Sequence, residues 1–225
     1  MLNHHFFNIL SLDELNLARQ DYLYKTLKKG LVMVNQAYLD DKKIKDILTY
    51  ISGMRHSEQI RMMFFCSLNG MRSINFCYLQ IKDVYNDDES VKDVISLDAD
   101  KNKGKFGANY YLNSQIKKEF KEYLKYLKSR NVNLTAETYL FTSQKLNKPY
   151  NRVSISRLFS SIYRKFNIEG ASHLGRHMFV SKLVNSGINI CLVQKLSNHR
   201  NIGTTQKYFN YNSQMLSNAV ESIRV

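Results

Sequence analysis

Apolar residues recur at helical spacing along most of the chain. The clearest run starts at Asn113 or Ser114 and continues to about Arg130, with lysines on its outward face. Polar N-cap residues precede such runs and glycines follow them, so the pattern predicts a largely helical protein. The predicted helices cover residues 11–29, 41–52, 57–68, 114–130, 151–166, 172–186, 189–196 and 212–225, with a short helix or turn over residues 202–208.

The pattern changes between residues 76 and 112. Runs rich in β-branched and aromatic residues occupy residues 78–81, 93–97 and 109–112. The last two runs flank a segment, residues 98–107, that is rich in Lys and Gly and typical of a hairpin. The predicted fold class is therefore mainly α with a small antiparallel β-sheet (α+β).

Length and charge narrow the function classes. A chain of 225 residues has room for one good-sized domain with a core, or for a domain with a short extension. No apolar run approaches the ~18 residues that span a bilayer, and the start lacks a basic n-region and a cleavage motif. The chain has 33 Lys and Arg residues and 19 Asp and Glu residues, which gives a formal net charge of +14. This charge favours nucleic acid as the partner over a membrane. The alternative is a generic solvated basic surface.

Three cysteines, Cys66, Cys77 and Cys191, lack the spacing of a zinc site and are an odd count for a disulfide framework. Each has apolar neighbours in sequence, so each is predicted to be a buried small hydrophobic residue. This usage indicates a reducing, cytoplasmic compartment.

Candidate chemistry is concentrated between His173 and Tyr208. This stretch places two histidine boxes, an arginine and a tyrosine at helix-sized intervals in a strongly basic chain. His173 and Arg176 are three residues apart, so they share one face near a helix start. Taken singly, His173 could be a cap or surface residue, and Tyr208 is one of 15 tyrosines. Together they suit phosphodiester chemistry on a polyanion without a metal.

Four boxes in order resemble the tyrosine recombinase (phage integrase) family. Residues 69–72, Asn-Gly-Met-Arg, resemble its Gly-x-Arg box, and residues 173–177, His-Leu-Gly-Arg-His, resemble its His-x-x-Arg box. Residues 196–199, Leu-Ser-Asn-His, resemble its Leu-Gly-His box, and residues 204–208, Thr-Thr-Gln-Lys-Tyr, resemble the segment that ends in the nucleophile. The resemblance covers roughly residues 40–211 and implies the family's catalytic-domain fold.

The resemblance also implies roles for individual residues. Arg72 and Arg176 would hold the non-bridging oxygens of the phosphate, and His199 would donate a further hydrogen bond. Tyr208 would attack phosphorus to give a 3′-phosphotyrosyl intermediate, with His173 as general base and the arginines favouring the phenolate. No metal or cofactor is implied.

By resemblance, a hairpin lysine would protonate the leaving 5′ oxygen. Counting back from the last strand favours Lys103, while Lys101 and Lys105 remain open. The further residues expected to contact DNA are Lys101, Lys105, Arg152, Arg200 and Lys207.

The implied function is a site-specific recombinase or integrase that cuts and rejoins double-stranded DNA without ATP. A catalytically silent DNA-binding regulator and a type IB topoisomerase-like relaxing enzyme are the alternatives. The expected domains are a short N-terminal helical extension over residues 1–38, a catalytic domain over residues 39–211 and a C-terminal helix over residues 212–225. That helix could exchange between protomers of a tetramer on paired sites, in a bacterial, phage or mobile-element setting, with no small-molecule substrate.

This sequence departs from the family pattern at four places. Asn75 stands where an acidic residue is usual, Leu174 and Gly175 replace Asp-Leu, and Asn198 replaces the glycine before the last histidine. A glycine beside the arginine is unexpected because it weakens a helix by about 1 kcal/mol. The segment before the catalytic part is also shorter than the family's usual N-terminal DNA-clamping domain.

Overall fold

A computed structural model describes residues 39–98, 107–130, 133–143 and 148–209, with residues 217, 220, 221 and 223. Within these residues the chain is mostly helical with one small antiparallel sheet, as predicted. The predicted helix over residues 11–29, most of the hairpin segment 98–107 and most of the helix over 212–225 lie outside the described residues. The elements are α1 (Asp41–Ser52), α2 (Ser57–Leu68), α3 (Ser73–Cys77), α4 (Ile81–Val84), β1 (Val94–Leu97), β2 (Ala108–Tyr111), α5 (Ser114–Ser129), α6 (Arg152–Arg164), α7 (Leu174–Asn185), α8 (Ile190–Leu196) and α9 (Ile202–Gln206).

Helix boundaries follow local capping chemistry. Asp40, Asn113 and Asn151 each accept a hydrogen bond at their side chain from a backbone N–H in the first turn of α1, α5 and α6. Gly53 closes α1, as the sequence predicts. Asn189 and Asn201 cap α8 and α9 in the same way.

The sheet consists of β1 and β2, which pair antiparallel with Val94 opposite Tyr111 and Leu97 opposite Ala108. Two of the three predicted β-type runs are therefore confirmed. The prediction for residues 78–81 is wrong: Gln80 forms only an isolated bridge with Tyr139, and α4 begins at the next residue. Gln80 and Asp83 form a capping box there, so local side-chain hydrogen bonds favour a helical turn over a strand.

The core is centred on α2, which is buried along most of its length and packs against α1, α5 and α7. Phe64, Phe76, Phe159 and Tyr163 form edge-on and tilted ring contacts beside it. The helix ends at Asn69, and the chain then turns into the first arginine box. A largely buried helix therefore positions the start of the candidate site.

Two local predictions need correction. Ser172 does not cap α7, because its hydroxyl is buried and hydrogen-bonds to Ser73; His173 is the N-cap residue instead. Cys191 is exposed rather than buried, since it lies on the outer side of the short helix α8. Cys66 and Cys77 are buried as predicted. Every helix among the described residues is too short or too polar to span a bilayer.

Candidate active site

A cleft of about 520 Å³ brings the predicted boxes together. Segments far apart in sequence contribute to it: the turn before α3, the start of α6, the start of α7, and the turn after α8. Its lining is strongly basic, which suits a polyanionic ligand. The lining residues are Arg72, Ser73, Ile74, Gly107, Arg152, His173, Lys195, Asn198, His199 and Arg200.

Arg72 enters the cleft from a turn that only glycine accommodates well. Gly70 has φ +82°, a left-handed conformation that costs other residues free energy, and a Cβ there would meet the ring of Phe179. Arg72 then serves as the N-cap residue of α3 with extended backbone. Its Nη2 donates a hydrogen bond to the backbone oxygen of Asn198 at 2.6 Å. This bond ties the first box to the third.

Asn75, the residue that departs from the family pattern in this box, is buried and accepts a hydrogen bond from the hydroxyl of Tyr110 at 2.9 Å. Tyr110 lies on β2. The neutral amide therefore anchors α3 to the sheet at a position where the family usually has a negative charge.

Arg176 is almost entirely buried, with 7% of its surface exposed. Its Nη1 donates to the backbone oxygen of Gly70 and its Nη2 to that of Ser197. Burial lowers its pKa to about 10, and the charge of Arg72 adds to that effect, but the guanidinium stays charged at neutral pH. Arg176 thus joins the second box to the first and the third.

Asn198 has φ +49°, so the left-handed geometry that the family's glycine allows is retained here by asparagine. Its side-chain Oδ1 accepts from the backbone N–H of Asn109 at 3.1 Å, and its Nδ2 donates to the backbone oxygen of Asn109 at 2.8 Å. Asn109 lies on β2. The departure from the family pattern therefore adds a clamp between the third box and the sheet, which no sequence argument predicted.

His199 links the cleft to Tyr208. Its Nδ1 lies 2.9 Å from the Oγ1 of buried Thr205, and its ring stacks on that of Tyr208 with centroids 6.3 Å apart. The Tyr208 hydroxyl forms a hydrogen bond with Nδ1 of His177. His177 was missed by the sequence analysis, although its spacing of one helical turn from His173 could have indicated it.

All three histidines have lowered pKa values. Burial is the largest cause in each, and neighbouring arginines add to it. The pKa of His199 falls from 6.5 to about 4. His173, His177 and His199 are therefore neutral at pH 7, so the permanent charge of the site comes from its arginines and lysine.

The expected effect of an arginine on the Tyr208 phenol is present, since Arg176 lowers its pKa, but burial outweighs it in the free protein. Burial raises this pKa above its ordinary value of 10, and the opposing effect of Arg176 is smaller. Tyr208 is therefore a neutral phenol at pH 7, and cleavage would need a base to remove its proton.

The predicted DNA contacts divide into three groups. Arg152 and Arg200 line the cleft, and Lys207 is exposed at the end of α9. Lys195 also lines the cleft and was missed, although it lies one turn before His199. The candidate acid Lys103 and its neighbours Lys101 and Lys105 lie outside the described residues. Among the described residues, no three His, Cys, Asp or Glu side chains form a group that could hold a metal ion.

The chain as a whole is similar to known proteins. A family model described as "Phage integrase family" matches residues 37–215. The chain is similar to the tyrosine recombinase XerA of Pyrococcus horikoshii, with 25% identity over 83% of this chain and 61% of that protein. It is also similar to the tyrosine recombinase XerD of Rickettsia prowazekii, with 28% identity over 79% of this chain and 60% of that protein.

Solved structures share the fold. A XerH site-specific recombinase bound to its difH substrate matches with a TM-score of 0.63 and 19% identity, over 82% of this chain and 53% of that one. The Tn1549 transposon integrase in complex with transposon right end DNA matches with a TM-score of 0.61 and 21% identity, over 83% and 65%. The chain spans about three fifths of the length of the curated relatives it matches.

Proposed function

The chain belongs to the phage integrase family, and from that premise we propose that it is a site-specific recombinase that cuts and rejoins DNA strands through a 3′-phosphotyrosyl intermediate. The observation that supports this most is convergence. Arg72, Arg176 and His199 come from three separate segments. Hydrogen bonds from the two arginines tie these segments together, and Tyr208 stacks on His199.

Phosphoryl transfer depends mainly on positioning and on stabilising charge at the non-bridging oxygens. Arg72 and Arg176 would bind these oxygens, because their planar guanidinium groups remain charged and match the geometry of phosphate. Their hydrogen bonds to backbone carbonyls fix both groups before substrate arrives, so little reorganisation would be needed. His199 would donate a further hydrogen bond from its second ring nitrogen, since Nδ1 already pairs with Thr205.

Double-stranded DNA would occupy the basic cleft. Arg152, Lys195 and Arg200 would contact the backbone phosphates on either side of the scissile one. Lys103 belongs to the segment of sequence between β1 and β2, and Gly107, the last residue before β2, lines the cleft. The family resemblance assigns protonation of the leaving 5′ oxygen to a lysine of this segment.

Assembly as a tetramer on paired sites is part of the same proposal. Val220 and Ile223 are 68% and 70% exposed, and large apolar side chains in that state favour a partner surface. A neighbouring protomer would provide that surface. Deleting residues 212–225 should reduce multimers on DNA in sedimentation experiments while a single protomer still binds.

The test uses the 225-residue chain and a pool of nicked duplexes of random sequence. The nick lets the short 5′-hydroxyl fragment diffuse away, so any cleavage leaves a trapped covalent complex. Wild-type protein should form an adduct through the 3′ end of the cut strand, and Tyr208→Phe should form none. Tyr126→Phe is the matched control, because Tyr126 lies on α5 outside the cleft.

A protein that binds the pool but never forms the adduct would be a DNA-binding regulator. A protein that forms the adduct and relaxes supercoiled plasmid, without joining two duplexes, would be a relaxing enzyme with the same chemistry. Either result would overturn the recombinase proposal.

A further inference from the structure

His177 has a contact that the roles assigned so far do not explain. It lies on the first turns of α7, directly after Arg176, and is half-buried. Its Nδ1 hydrogen-bonds to the hydroxyl of Tyr208, which comes from the segment after α9. The two rings are also in contact, with centroids 5.7 Å apart. The nucleophilic oxygen is therefore paired with a ring nitrogen.

The direction of this hydrogen bond follows from the protonation states. Burial lowers the pKa of His177, and the groups facing it, His173 and Arg176, lower it further, so the imidazole is neutral at pH 7. Burial raises the pKa of Tyr208, so the phenol retains its proton. The phenol is then the donor and Nδ1 the acceptor, which places the remaining imidazole proton on Nε2.

The other two histidines are occupied differently. Nδ1 of His199 pairs with Thr205, and its ring stacks on the face of Tyr208 rather than meeting the hydroxyl. His173 is the most solvent-accessible of the three and lines the cleft. Among the described residues, the ring nitrogen that contacts the nucleophilic hydroxyl belongs to His177.

We propose, on the basis of the proposed function, that His177 rather than His173 is the general base that activates Tyr208. As the phenolic oxygen bonds to phosphorus, the Tyr208 O–H bond breaks and its proton passes to Nδ1 of His177. The bond from phosphorus to the 5′ oxygen breaks at the same time, and that oxygen takes a proton from a general acid, which the family resemblance assigns to a hairpin lysine. In rejoining, the incoming 5′-hydroxyl attacks phosphorus and returns its proton to the deprotonated acid, while the bond from phosphorus to the tyrosine oxygen breaks and the proton on His177 returns to that oxygen.

The variant His177→Asn separates proton transfer from positioning. The asparagine Oδ1 can occupy the place of the imidazole Nδ1 and accept the same hydrogen bond, but an amide does not take up the proton. Loss of a general base slows a reaction about 10²–10⁴-fold. We therefore expect single-turnover adduct formation by His177→Asn to fall by that factor at pH 7. His173→Gln is the matched comparison, because it removes the rival base from the same helix start.

The dependence on pH distinguishes a base from an orienting group. Wild-type adduct formation should decline as pH falls below 6.5, because protonated His177 cannot accept the proton. In His177→Asn the rate should instead rise tenfold per pH unit through pH 9, since hydroxide must then ionise the phenol. His173→Gln should keep the wild-type profile.

A substrate with a bridging 5′-sulfur completes the experiment, because a thiolate leaves without a proton. The defect of His177→Asn should persist on this substrate, whereas loss of the acid should be rescued. If His177→Asn proves unstable in urea unfolding, His177→Gln replaces it; it does not reproduce the hydrogen bond at Nδ1, but it also lacks a base, so the hydroxide-dependent pH profile is still expected. A wild-type pH profile in both variants, or the hydroxide-dependent profile in His173→Gln, would overturn the assignment of His177. Absence of any adduct with wild-type protein would overturn the proposed function and this role with it.

Discussion

Gly175 offers a sharp test of the packing beneath the candidate site. It is the second residue of α7 and lies beside Arg176, at a helical position where alanine would normally be favoured. A Cβ built on Gly175 would lie 3.0 Å from both Cβ and the carbonyl carbon of Ser67, and closer still to its Oγ. Ser67 is fully buried on α2. The glycine therefore permits close approach of α2 and α7.

The expected cost of Gly175→Ala is a difference between two effects. Overpacking a well-packed core costs about 1–3 kcal/mol. Replacing a helical glycine with alanine stabilises the helix by at most about 1 kcal/mol. Because one clashing atom belongs to the backbone of α2 and cannot rotate away, we expect the free energy of unfolding to fall by about 1–2 kcal/mol.

Urea unfolding measures this change, and a double-mutant cycle identifies its cause. Ser67→Gly removes both side-chain atoms that clash, so it should cost less in the Gly175→Ala background than in the wild type. Gly53→Ala is the matched control, since the nearest atom to its Cβ is 3.7 Å away, and it should not destabilise the protein. An equally stable Gly175→Ala variant with no coupling to Ser67→Gly would show that α2 and α7 do not pack as described.

Three further predictions concern the clamp, the thiols and the cleft. Asn198→Gly should lower the free energy of unfolding by about 1–2 kcal/mol, because it removes two hydrogen bonds of about 0.5–1.5 kcal/mol each. Asn167→Gly, at φ +53°, is the control, and the same urea titration should show little change in the free energy of unfolding. A thiol reagent should label only Cys191 in the native protein and all three cysteines after unfolding, because burial protects Cys66 and Cys77 and raises the pKa of Cys77 to about 12. Labelling of all three cysteines in the native protein would contradict the burial of Cys66 and Cys77 in the core. DNA affinity measured by fluorescence anisotropy should fall with salt. The logarithm of the binding constant against the logarithm of salt concentration should have a slope of about −3 to −4 or steeper, because four Lys and Arg side chains among the described residues line the cleft. An affinity that does not change with salt would argue against phosphate contacts.

Local rules predicted most of the fold because the decisive interactions are local. Asn113 caps α5 and Gly53 closes α1 through contacts within one turn of the helix. The predictions that failed concern positions whose structure depends on residues distant in sequence. The Ser172 hydroxyl is taken up by Ser73, far away in sequence, so the helix begins one residue later. Cys191 has apolar neighbours in sequence, yet α8 presents it to solvent.

In the candidate site, too, the sequence predicted some features, and others depended on residues distant in sequence. The family resemblance identified Arg72, Arg176 and His199 by their boxes, and the fold brings these residues together. It also flagged Gly175 and Asn198 as departures without explaining them. Their explanations are a close approach of α2 and a clamp to β2, and both depend on which segments become neighbours. The partner of Tyr208 was missed for the same reason, since spacing along one helix does not say what lies opposite.

The way in which the two arginines are held connects these observations to function. Arg72 and Arg176 donate to the backbone oxygens of Gly70, Ser197 and Asn198, and among the described residues neither forms an ion pair with a carboxylate. Carbonyl dipoles position a guanidinium but leave its charge uncancelled, so the positive potential extends into the cleft.

That potential adds to the effect of burial in keeping the surrounding histidines neutral, and both make protonation of any of them unfavourable in the free protein. A bound phosphodiester would bring negative charge and offset the part of this penalty that the arginines cause. Proton transfer from Tyr208 to a neighbouring imidazole would therefore become more favourable when DNA occupies the cleft. A carboxylate in place of these carbonyl groups would cancel the charge in advance and remove that dependence on substrate.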